Sequence, residues 1–457
     1  MPAPARRRPL AAGGKWPLEP GTASIRKGDS LTSDTNRSLW RTTAADPVPS
    51  TRFDADGEAD LAVIGGGFTG CAAALDAARR GAAVSVFEAD TVGHGGSGRN
   101  VGLVNAGLWL PPDEIIAHAG ETDGMRLMTA LAEGPSKVFD IIEREGIECE
   151  ATRAGTLHLA HAPSGLDDLR ERFRQGNRLG APIQLLDAAE TARRTGSSRF
   201  HGALWDPRAG TIQPLAYCRG LARAAIAAGA HIHENTPVTR ISRDSDTWVI
   251  EAAGHRLRAR HLLLATNAYH REVKGAAAPG FVPVCFSQFA TAPLPDRLRE
   301  KILPGGEGCW DTALVMSSFR MDKAGRMIVG GIGDATGPAS PIHAAWARRK
   351  LREVYPELAD QPFEHSWSGR IAMTSDHIPK IVSFGPNALA AFGYSGRGIA
   401  PGTVFGTAAA KALLTDDPSH LPLPVISGHA ERFTSIRQAY YETGAALTHL
   451  TKPLPFT

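Results

Sequence analysis

The sequence predicts an α/β fold in which a parallel sheet with flanking helices is joined to a second, α+β domain. Residues 61–64 are apolar and run directly into a glycine-rich turn, and the apolar run 261–269 is typical of a strand buried on both faces of a parallel sheet. Residues 281–293 alternate in polarity, which indicates a strand of a largely antiparallel sheet. We therefore expect both kinds of sheet in one chain.

The first of these segments belongs to a complete nucleotide-binding unit. Strand residues 61–64 are followed by Gly65, Gly67 and Gly70 in the spacing G-x-G-x-x-G, then by a helix-forming segment and a second strand closed by Glu88. The first glycine permits the tight turn, the second lets a pyrophosphate approach the backbone, and the third lets the helix pack on the sheet. The helix N-terminus attracts phosphates, and Glu88 is placed to accept hydrogen bonds from a ribose diol. These features predict a dinucleotide-binding unit; the alternative interpretation is an ordinary strand–turn–helix of an α/β protein.

Three later segments are also expected to approach a ligand. Residues 93–102 contain a second cluster of glycines, and because glycine weakens both helices and strands we expect this segment to wrap around the ligand. Residues 265–267 follow the buried strand, and residues 393–398 precede an alanine-rich helix that ends at 414. With the first glycine loop, these segments are expected to bind one molecule.

Periodicity and turn residues predict the remaining elements. Helices are expected at 113–145, 164–180, 214–228 and 340–355, and strands at 153–160, 230–234, 237–241, 248–251, 257–260, 313–321, 326–331 and 363–371. Residues 1–35 are rich in Pro, Ala, Gly, Arg and Ser, which predicts a flexible tail.

Composition excludes several classes of protein. The 457 residues are 42% hydrophobic and 21% charged, as in a soluble globular enzyme, and a formal net charge of +3 gives no indication of nucleic-acid binding. The five cysteines are scattered without a C-x-x-C pair, which favours reduced thiols and a cytoplasmic location. No apolar run approaches the ~18 residues that cross a bilayer. The pairs His158/His161 and His231/His233 lack further ligands nearby, so we interpret them as solvated or structural and predict no metal site.

Taken together, the four ligand segments resemble the D-amino-acid oxidase superfamily of FAD-dependent oxidoreductases, the group of glycine oxidase and sarcosine oxidase. The likeness is greatest to the γ-glutamylputrescine oxidase and L-pipecolate oxidase branch, on a Ser-aromatic-like leader at 38–40, the Ser-Gly-Arg-Asn loop at 97–100 and the Gly-x-Ser-Gly-Arg-Gly turn at 393–398. It covers about residues 38–415. The resemblance implies a glutathione-reductase-type FAD-binding Rossmann domain with a discontinuous substrate domain of antiparallel or mixed sheet.

The resemblance also implies which residues contact FAD. The glycine loop would cradle the pyrophosphate, Glu88 would bind the AMP ribose, Val238 would contact adenine through its backbone, and the turn at 396–399 would present N–H groups to the flavin N1–C2=O region. The full set is Gly65, Gly67, Phe68, Thr69, Gly70, Glu88, Ala89, Ser97, Gly98, Arg99, Asn100, Gly102, Leu103, Val238, Ala265, Thr266, Asn267, Gly393, Gly396, Arg397, Gly398 and Ile399. Residues 369–373 contain no cysteine and Arg99–Asn100 replaces the histidine of covalently flavinylated relatives, so we predict non-covalent FAD.

Both domains would be built from separated segments. The FAD-binding domain is predicted to comprise 36–108, 201–275 and 366–457, the last with a C-terminal tail. The substrate domain is predicted to comprise 109–200 and 276–365.

The reaction that the resemblance implies is oxidation of a C–N bond in a small amine or amino acid. Hydride would pass from the α-carbon to flavin N5, the imine would hydrolyse, and O2 would be reduced to H2O2; catalysis is then mainly placement and desolvation of the substrate. One alternative is a dehydrogenase that passes electrons to a quinone or a protein acceptor. Another is a flavin-bearing subunit or binding protein without turnover. A tRNA-modifying or halogenating flavoprotein is opposed by the lack of a basic patch and of matching motifs.

Four residues are candidates for contact with the substrate. Arg370 would bind a carboxylate, with a surface or structural arginine as the equal alternative. Trp109 would form a wall of the pocket, although core packing is favoured for it because aromatic side chains bury large areas. Tyr394 lies in the flavin turn, where a functional role competes with packing. Gln288, on a strand of the substrate sheet, would form a hydrogen bond with the ligand.

Overall fold

The computed structural model describes residues 38–44, 47–276 and 278–451, so the predicted tail at 1–35 lies outside the described residues. The helices in these ranges are α1 (Leu39–Thr43), α2 (Phe68–Arg79), α3 (Pro112–Ala119), α4 (Glu121–Ala132), α5 (Gly134–Arg144), α6 (Pro163–Arg178), α7 (Ala188–Thr195), α8 (Pro214–Ala227), α9 (Asp296–Arg299), α10 (Ser340–Val354), α11 (Ile399–Thr415) and α12 (Thr434–Leu450). The strands are β1 (Gly57–Ile64), β2 (Val84–Phe87), β3 (Leu103–Val104), β4 (Thr156–Leu159), β5 (Gln184–Leu186), β6 (Ala203–Asp206), β7 (Gly210–Thr211), β8 (His231–His233), β9 (Val238–Asp244), β10 (Thr247–Ala252), β11 (His255–Leu264), β12 (Val282–Pro293), β13 (Gly308–Asp311), β14 (Ser317–Met321), β15 (Arg326–Ile332), β16 (Phe363–Met373), β17 (Lys380–Gly385) and β18 (Ala388–Phe392).

The first large sheet is mainly parallel. Its strands are ordered β17–β18–β11–β1–β2–β8, with β10 and β9 extending from β11 as an antiparallel meander. Leu61 and Val63 of β1 share one apolar core with helices α2, α8 and α11, while Ala62 and Ile64 pack on the opposite face with residues of the meander. Burial on both faces explains why the ends of β1 and β11 are uninterrupted apolar runs rather than alternating ones.

The second large sheet is mainly antiparallel. Its order is β16–β12–β15–β14–β13–β4–β6–β5, and within it the β13–β4 pair is parallel. Ala347 and Leu351 of α10 pack into the core of this sheet, and α12 lies against both β12 and α10. The α/β architecture with an additional antiparallel sheet is the one that the sequence predicted.

Helices α7 and α9 were not predicted, and two further helical regions differ from the sequence prediction for reasons that their residues show. The single helix expected at 113–145 is three helices, because Gly120 has a φ of 78° that right-handed helix excludes and Gly134–Pro135 starts a new helix. Helix α12 was not predicted. Its large apolar side chains, Ile436, Tyr440 and Leu447, are exposed, whereas its buried residues are Ala445 and His449, so apolar periodicity does not mark the buried face.

The short helix α1 packs against strand β16 of the second sheet and against the second glycine-rich segment. Trp40 is fully buried, its ring lies 5.8 Å from that of Trp367 on β16, and its Nε1 donates a hydrogen bond to the carbonyl oxygen of Asn100 at 2.8 Å. Ser38 Oγ donates to the carbonyl oxygen of Gly98 at 3.0 Å. These contacts hold the second glycine-rich segment in place. In the part of the chain that the structure describes, no helix has both the length and the apolarity that crossing a membrane requires.

Candidate active site

The topology of the first sheet brings the predicted ligand segments to one edge. Strands β1, β2, β11 and β18 run parallel, so their carboxyl ends, and the loops that follow them, lie side by side. Backbone hydrogen bonds join neighbouring loops to strands: Gly65 N donates to Phe87 O and Ala265 N donates to Ile64 O, both at 2.8 Å. Ligands of open α/β sheets bind at this edge.

The glycine loop leaves no room for side chains. Gly65 has a φ of 110°, and a Cβ placed on it would lie 2.8 Å from Ala265 O. A Cβ on Gly70 would lie 1.9 Å from Gly65 O, so this glycine permits the contact between helix α2 and the strand, as its place in the motif indicates. A Cβ on Gly67 would lie 2.9 Å from Ser97 Oγ. Gly67 therefore makes room for Ser97 as well as for any approaching phosphate.

Two side chains hold the backbone of this loop. Ser97 Oγ accepts a hydrogen bond from Phe68 N at 3.0 Å, at the start of α2. Glu88 accepts from Gly66 N at 2.7 Å through one oxygen and from Asp90 N at 2.9 Å through the other. Burial raises the pKa of Glu88, and these two backbone donors oppose that rise. Glu88 thus positions the loop in addition to facing the cavity at its edge.

Asn267 stands in a turn position where the resemblance stated above implies glycine. Its φ is 43°, a left-handed conformation that asparagine tolerates better than most residues. Its Oδ1 accepts a hydrogen bond from Gly393 N at 3.0 Å, which ties the loop after β11 to the loop after β18.

A single cavity of about 740 Å³ joins this edge to the second sheet. All the predicted cofactor residues line it except Gly70, Gly98, Arg99, Gly102 and Gly393. Arg99 is instead buried behind the loop, where it donates to His94 O at 2.9 Å and to Ser368 O at 3.0 Å. Gly98 packs against the loop itself, since a Cβ there would lie 2.2 Å from Gly93 O. Gly102 N donates to Asn100 Oδ1 at 2.9 Å. These residues shape the cradle from behind, and direct contact with the cofactor stays a prediction for them.

The four predicted substrate residues all line the cavity, in different environments. Tyr394 is buried, and its hydroxyl shares a 2.8 Å hydrogen bond with Thr69 Oγ1, which fixes the turn at 393–398 to helix α2. Burial raises the pKa of Tyr394, so the phenol is neutral. Arg370 is exposed; its guanidinium lies 4.8 Å from the centre of the Tyr269 ring, and its backbone N donates to Tyr269 Oη at 2.9 Å.

Trp109 packs against the core of the first sheet, whereas Gln288 lies on β12 of the second sheet. The ring of Trp109 packs edge-on against His377 at 4.5 Å and against the main apolar core, so it is both a core residue and a wall of the cavity. Gln288 is 4% exposed, and its Oε1 has no hydrogen-bond partner among the described residues. A buried polar atom without a partner costs stability, which makes Gln288 Oε1 a ready acceptor for a ligand.

Besides the predicted Gln288, the second sheet contributes cavity residues that sequence reasoning missed. Five adjacent strands, β12, β15, β14, β13 and β4, align one residue each in register: Gln288, Gly330, Ser318, Trp310 and His158. We call this set the polar row. Directly opposite residues point to the same face, so the side chains of this row face the cavity, and all four of them line it. At the usual strand spacing the row is about 19 Å long. Alternation within each strand was the available signal, but register across strands cannot be read from one sequence.

His158 is buried, which contradicts a solvated histidine but not the alternative interpretation from the sequence, a structural one. It lines the cavity, is 9% exposed, and its ring lies 4.8 Å from that of Trp310. Burial lowers the pKa of His158 well below its ordinary value, and Arg172 and Arg397 add repulsion, so the ring is neutral at physiological pH. His161, the other histidine of this pair in the sequence, forms a 2.8 Å hydrogen bond between its Nδ1 and Thr312 Oγ1.

The residues at the sheet edge fit an adenine dinucleotide. Gly65, Gly66 and Gly67 line the cavity without side chains, and the N-terminus of α2 faces it through Phe68 and Thr69. Glu88 offers a carboxylate where a ribose diol binds in this motif. Gly396 is exposed to the cavity, and Gly398 has open space where a Cβ would stand. The donor set is that of a site for a phosphate-bearing cofactor with a second, polar pocket beside it.

Comparison with known proteins agrees with this geometry. At 33% identity over 344 residues, the chain is similar to a probable oxidoreductase OrdL of Rhizobium meliloti (strain 1021), covering 75% of this chain and 80% of that protein. It is 30% identical to the gamma-glutamylputrescine oxidoreductase of Escherichia coli (strain K12), covering 84% of this chain and 92% of that protein. The crystal structure of glycine oxidase from Geobacillus kaustophilus has the same fold, with a TM-score of 0.66 at 21% identity, covering 79% of this chain and 95% of that one.

The structure of L-proline dehydrogenase from P. horikoshii is also similar, with a TM-score of 0.65 at 19% identity over 80% of this chain and 97% of that one. A family model described as DAO, FAD dependent oxidoreductase, matches residues 60–412, which include every cofactor loop described above. The chain therefore belongs to the DAO family of FAD-dependent oxidoreductases.

Proposed function

We propose that this protein is an oxidase of C–N bonds in a small amine or amino acid, with O2 as electron acceptor. The amine would lose two electrons and two protons to give an imine, which water hydrolyses, and O2 would take up the electrons and protons to give H2O2. The observation that carries the proposal is the continuity of one cavity from the glycine cradle to the polar row of the second sheet. The names of similar proteins, a gamma-glutamylputrescine oxidoreductase and a glycine oxidase, support the substrate class.

We assign cofactor contacts to the loops at the edge of the first sheet. The loop at 65–70 and the start of α2 would hold the pyrophosphate, and Glu88 the ribose. The turn at 396–399 would present backbone N–H groups to the flavin. Bound FAD supplies a two-electron acceptor for the C–H bond next to nitrogen. None of the five cysteines lines the cavity, which supports non-covalent binding.

The chain's own residues place and desolvate the substrate. Trp109, Trp310 and Phe286 form apolar walls that exclude water, and exclusion of water strengthens each polar contact inside. Gln288 Oε1 would accept a hydrogen bond from the amine or its neighbour. Because His158 is neutral and Tyr394 is a neutral phenol, neither adds a charge near the reacting nitrogen.

The test is anaerobic reduction. The purified holoprotein is mixed without oxygen with primary amines, secondary amines and amino acids, and loss of the flavin's visible absorbance is followed; free FAD with each amine is the control. Admission of air should then restore the absorbance and release one H2O2 per flavin reduced. If no amine bleaches the flavin, the proposal is wrong and a role without turnover is favoured.

A second candidate function is a dehydrogenase with a quinone or protein acceptor. Similarity to the L-proline dehydrogenase structure and to a sarcosine dehydrogenase of Homo sapiens, 30% identical over 204 residues, favours it. In that case an amine bleaches the flavin, but a soluble quinone restores the absorbance much faster than air. For the cellular location, the five free cysteines support a reducing compartment, and we propose the cytoplasm.

A further inference from the structure

The side chain of Arg397 points away from the cradle to which its turn belongs. Its Nη1 donates a hydrogen bond to Ala106 O at 3.0 Å, and its Cζ lies 4.4 Å from the centre of the Trp310 ring. Trp310 is on β13, in the polar row of the second sheet. A residue from the turn at the first sheet therefore delivers its guanidinium to the pocket beside the second.

Arg397 has no acidic partner among the described residues. The nearby carboxylates are already paired with other arginines. Asp206, which acts on the charge of Arg397, forms an ion pair with Arg208 at 2.7 Å, and Asp168 forms one with Arg172 at 2.8 Å. Burial lowers the pKa of Arg397 to about 9, with repulsion from Arg172 adding to the effect and Asp206 opposing it. At neutral pH the guanidinium is still charged, so one positive charge stands in this wall without compensation.

The surroundings favour a planar monoanion. The Trp310 ring covers one face of the guanidinium, which leaves its in-plane N–H groups for a ligand, and a carboxylate matches that fork. His158, whose ring lies 4.8 Å from that of Trp310, is neutral and adds no second charge. Since Arg172 is compensated by Asp168, the net local charge is a single positive one, which a carboxylate neutralises and a phosphate dianion exceeds.

We propose that Arg397 is a specificity-determining residue that receives a carboxylate of the substrate, beside Trp310 and His158. This rests on the proposed function, and it narrows the substrate to an amine that also bears a carboxylate. It assigns that group to Arg397 rather than to Arg370, which is exposed and packs on Tyr269. Arg397 would then have two roles: its side chain binds the substrate, and its backbone contacts the cofactor.

The test uses two probes of the same shape and different charge, benzoate and benzamide, and needs no turnover. Each is titrated into the FAD-bound protein while the visible spectrum of the flavin is recorded. We expect benzoate to bind and perturb the spectrum, and benzamide to bind at least tenfold more weakly. Arg397→Met should weaken benzoate on the order of 10- to 100-fold, the usual range for loss of a charged hydrogen bond. It should change the affinity for FAD less than about twofold, since the removed group lies outside the cradle.

Two further variants and the measurement of FAD binding distinguish this role of Arg397 from the alternatives. Arg397→Lys keeps the charge but not the fork, so it should bind benzoate with intermediate affinity, and it remains informative if the methionine variant fails to fold. Arg370→Met serves as the competing arm: loss of benzoate binding there, with wild-type affinity in Arg397→Met, overturns the inference. Loss of FAD together with benzoate in both Arg397 variants also overturns it, because the arginine then serves the cofactor. Benzoate binding in a protein that oxidises no amine would leave the carboxylate site standing and refute the proposed function alone.

Discussion

Replacement of Gly65 by alanine is expected to weaken FAD binding through two separable effects. The first is backbone strain, because Gly65 has a φ of 110°. A residue with a Cβ in such a conformation costs about 1–3 kcal/mol. The second is overlap, because the new Cβ would lie 2.8 Å from Ala265 O, at the point where the loops after β1 and β11 meet. Ala265 and Thr266 line the cavity, so any shift that relieves the overlap moves the cradle itself.

Gly229 offers a matched control for the first effect. Its φ of 102° is close to that of Gly65, but a Cβ there would meet nothing within 4 Å. It follows helix α8 and does not line the cavity. Gly229→Ala should therefore show the strain alone, and Gly65→Ala the strain and the overlap. Overpacking of this kind costs about 1–3 kcal/mol more, equivalent to roughly 5- to 150-fold if it falls on cofactor affinity.

The assay measures the dissociation constant of FAD for each apoprotein by quenching of FAD fluorescence, together with the midpoint of thermal unfolding without FAD. Gly229→Ala should lower the unfolding midpoint and leave FAD affinity unchanged. Gly65→Ala should lower both. Wild-type FAD affinity in Gly65→Ala would refute the assignment of this turn to the cofactor, and equal FAD affinities in the two variants would show that overlap with Ala265 has no part in it.

Three further predictions concern bonds and charges elsewhere. Tyr394→Phe and Thr69→Val should each lower the free energy of unfolding by about 1–3 kcal/mol, because each removes the buried hydrogen bond and leaves the remaining hydroxyl without its partner. In thermal unfolding, the double variant should be only slightly less stable than either single variant. Strictly additive losses would contradict the bond. Acid precipitation should release all the flavin into the supernatant, and flavin retained in the pellet would contradict non-covalent binding. Burial, with repulsion from His343 and Arg349, lowers the pKa of His449 to about 3. The unfolded chain then binds more protons than the folded one between about pH 6.5 and pH 3. The contribution of His449 to the free energy of unfolding is therefore fully present above about pH 6.5 and is lost as the pH is lowered toward 3. His449→Phe, which preserves stacking on Trp346, should flatten this fall in thermal unfolding measured from pH 7 to pH 5, and an unchanged slope would contradict the assignment.

The cofactor loops were within reach of the sequence because their signals are local. Gly65, Gly70 and Glu88 stand at set distances from apolar strand residues, and backbone sterics require those residue types in one strand–turn–helix unit. Asn267 shows the limit of that reasoning. Its departure from glycine was visible in the chain, but the left-handed φ and the bond to Gly393 that make asparagine acceptable depend on a loop 126 residues away.

The pocket beside the second sheet was decided by register, which no single segment encodes. Gln288 and His158 share a row because β12, β15, β14, β13 and β4 pair in one alignment, and a slip of one residue in any strand would turn a side chain to the opposite face. Helix α12 escaped prediction for a related reason: it buries the small residue Ala445 and the polar His449, and leaves its large apolar residues exposed.

The sequence by itself determined the α/β class, the dinucleotide loop and the family resemblance, since each depends on residues close together in the chain. Arg397 marks the division. Its backbone belongs to a turn whose glycine spacing can be read directly, but its side chain reaches Trp310 only because the fold places that turn beside strand β13 of the second sheet. An arginine side chain has several rotatable bonds and no preferred direction of its own, so only the tertiary structure decided that its guanidinium lies in the pocket beside the second sheet.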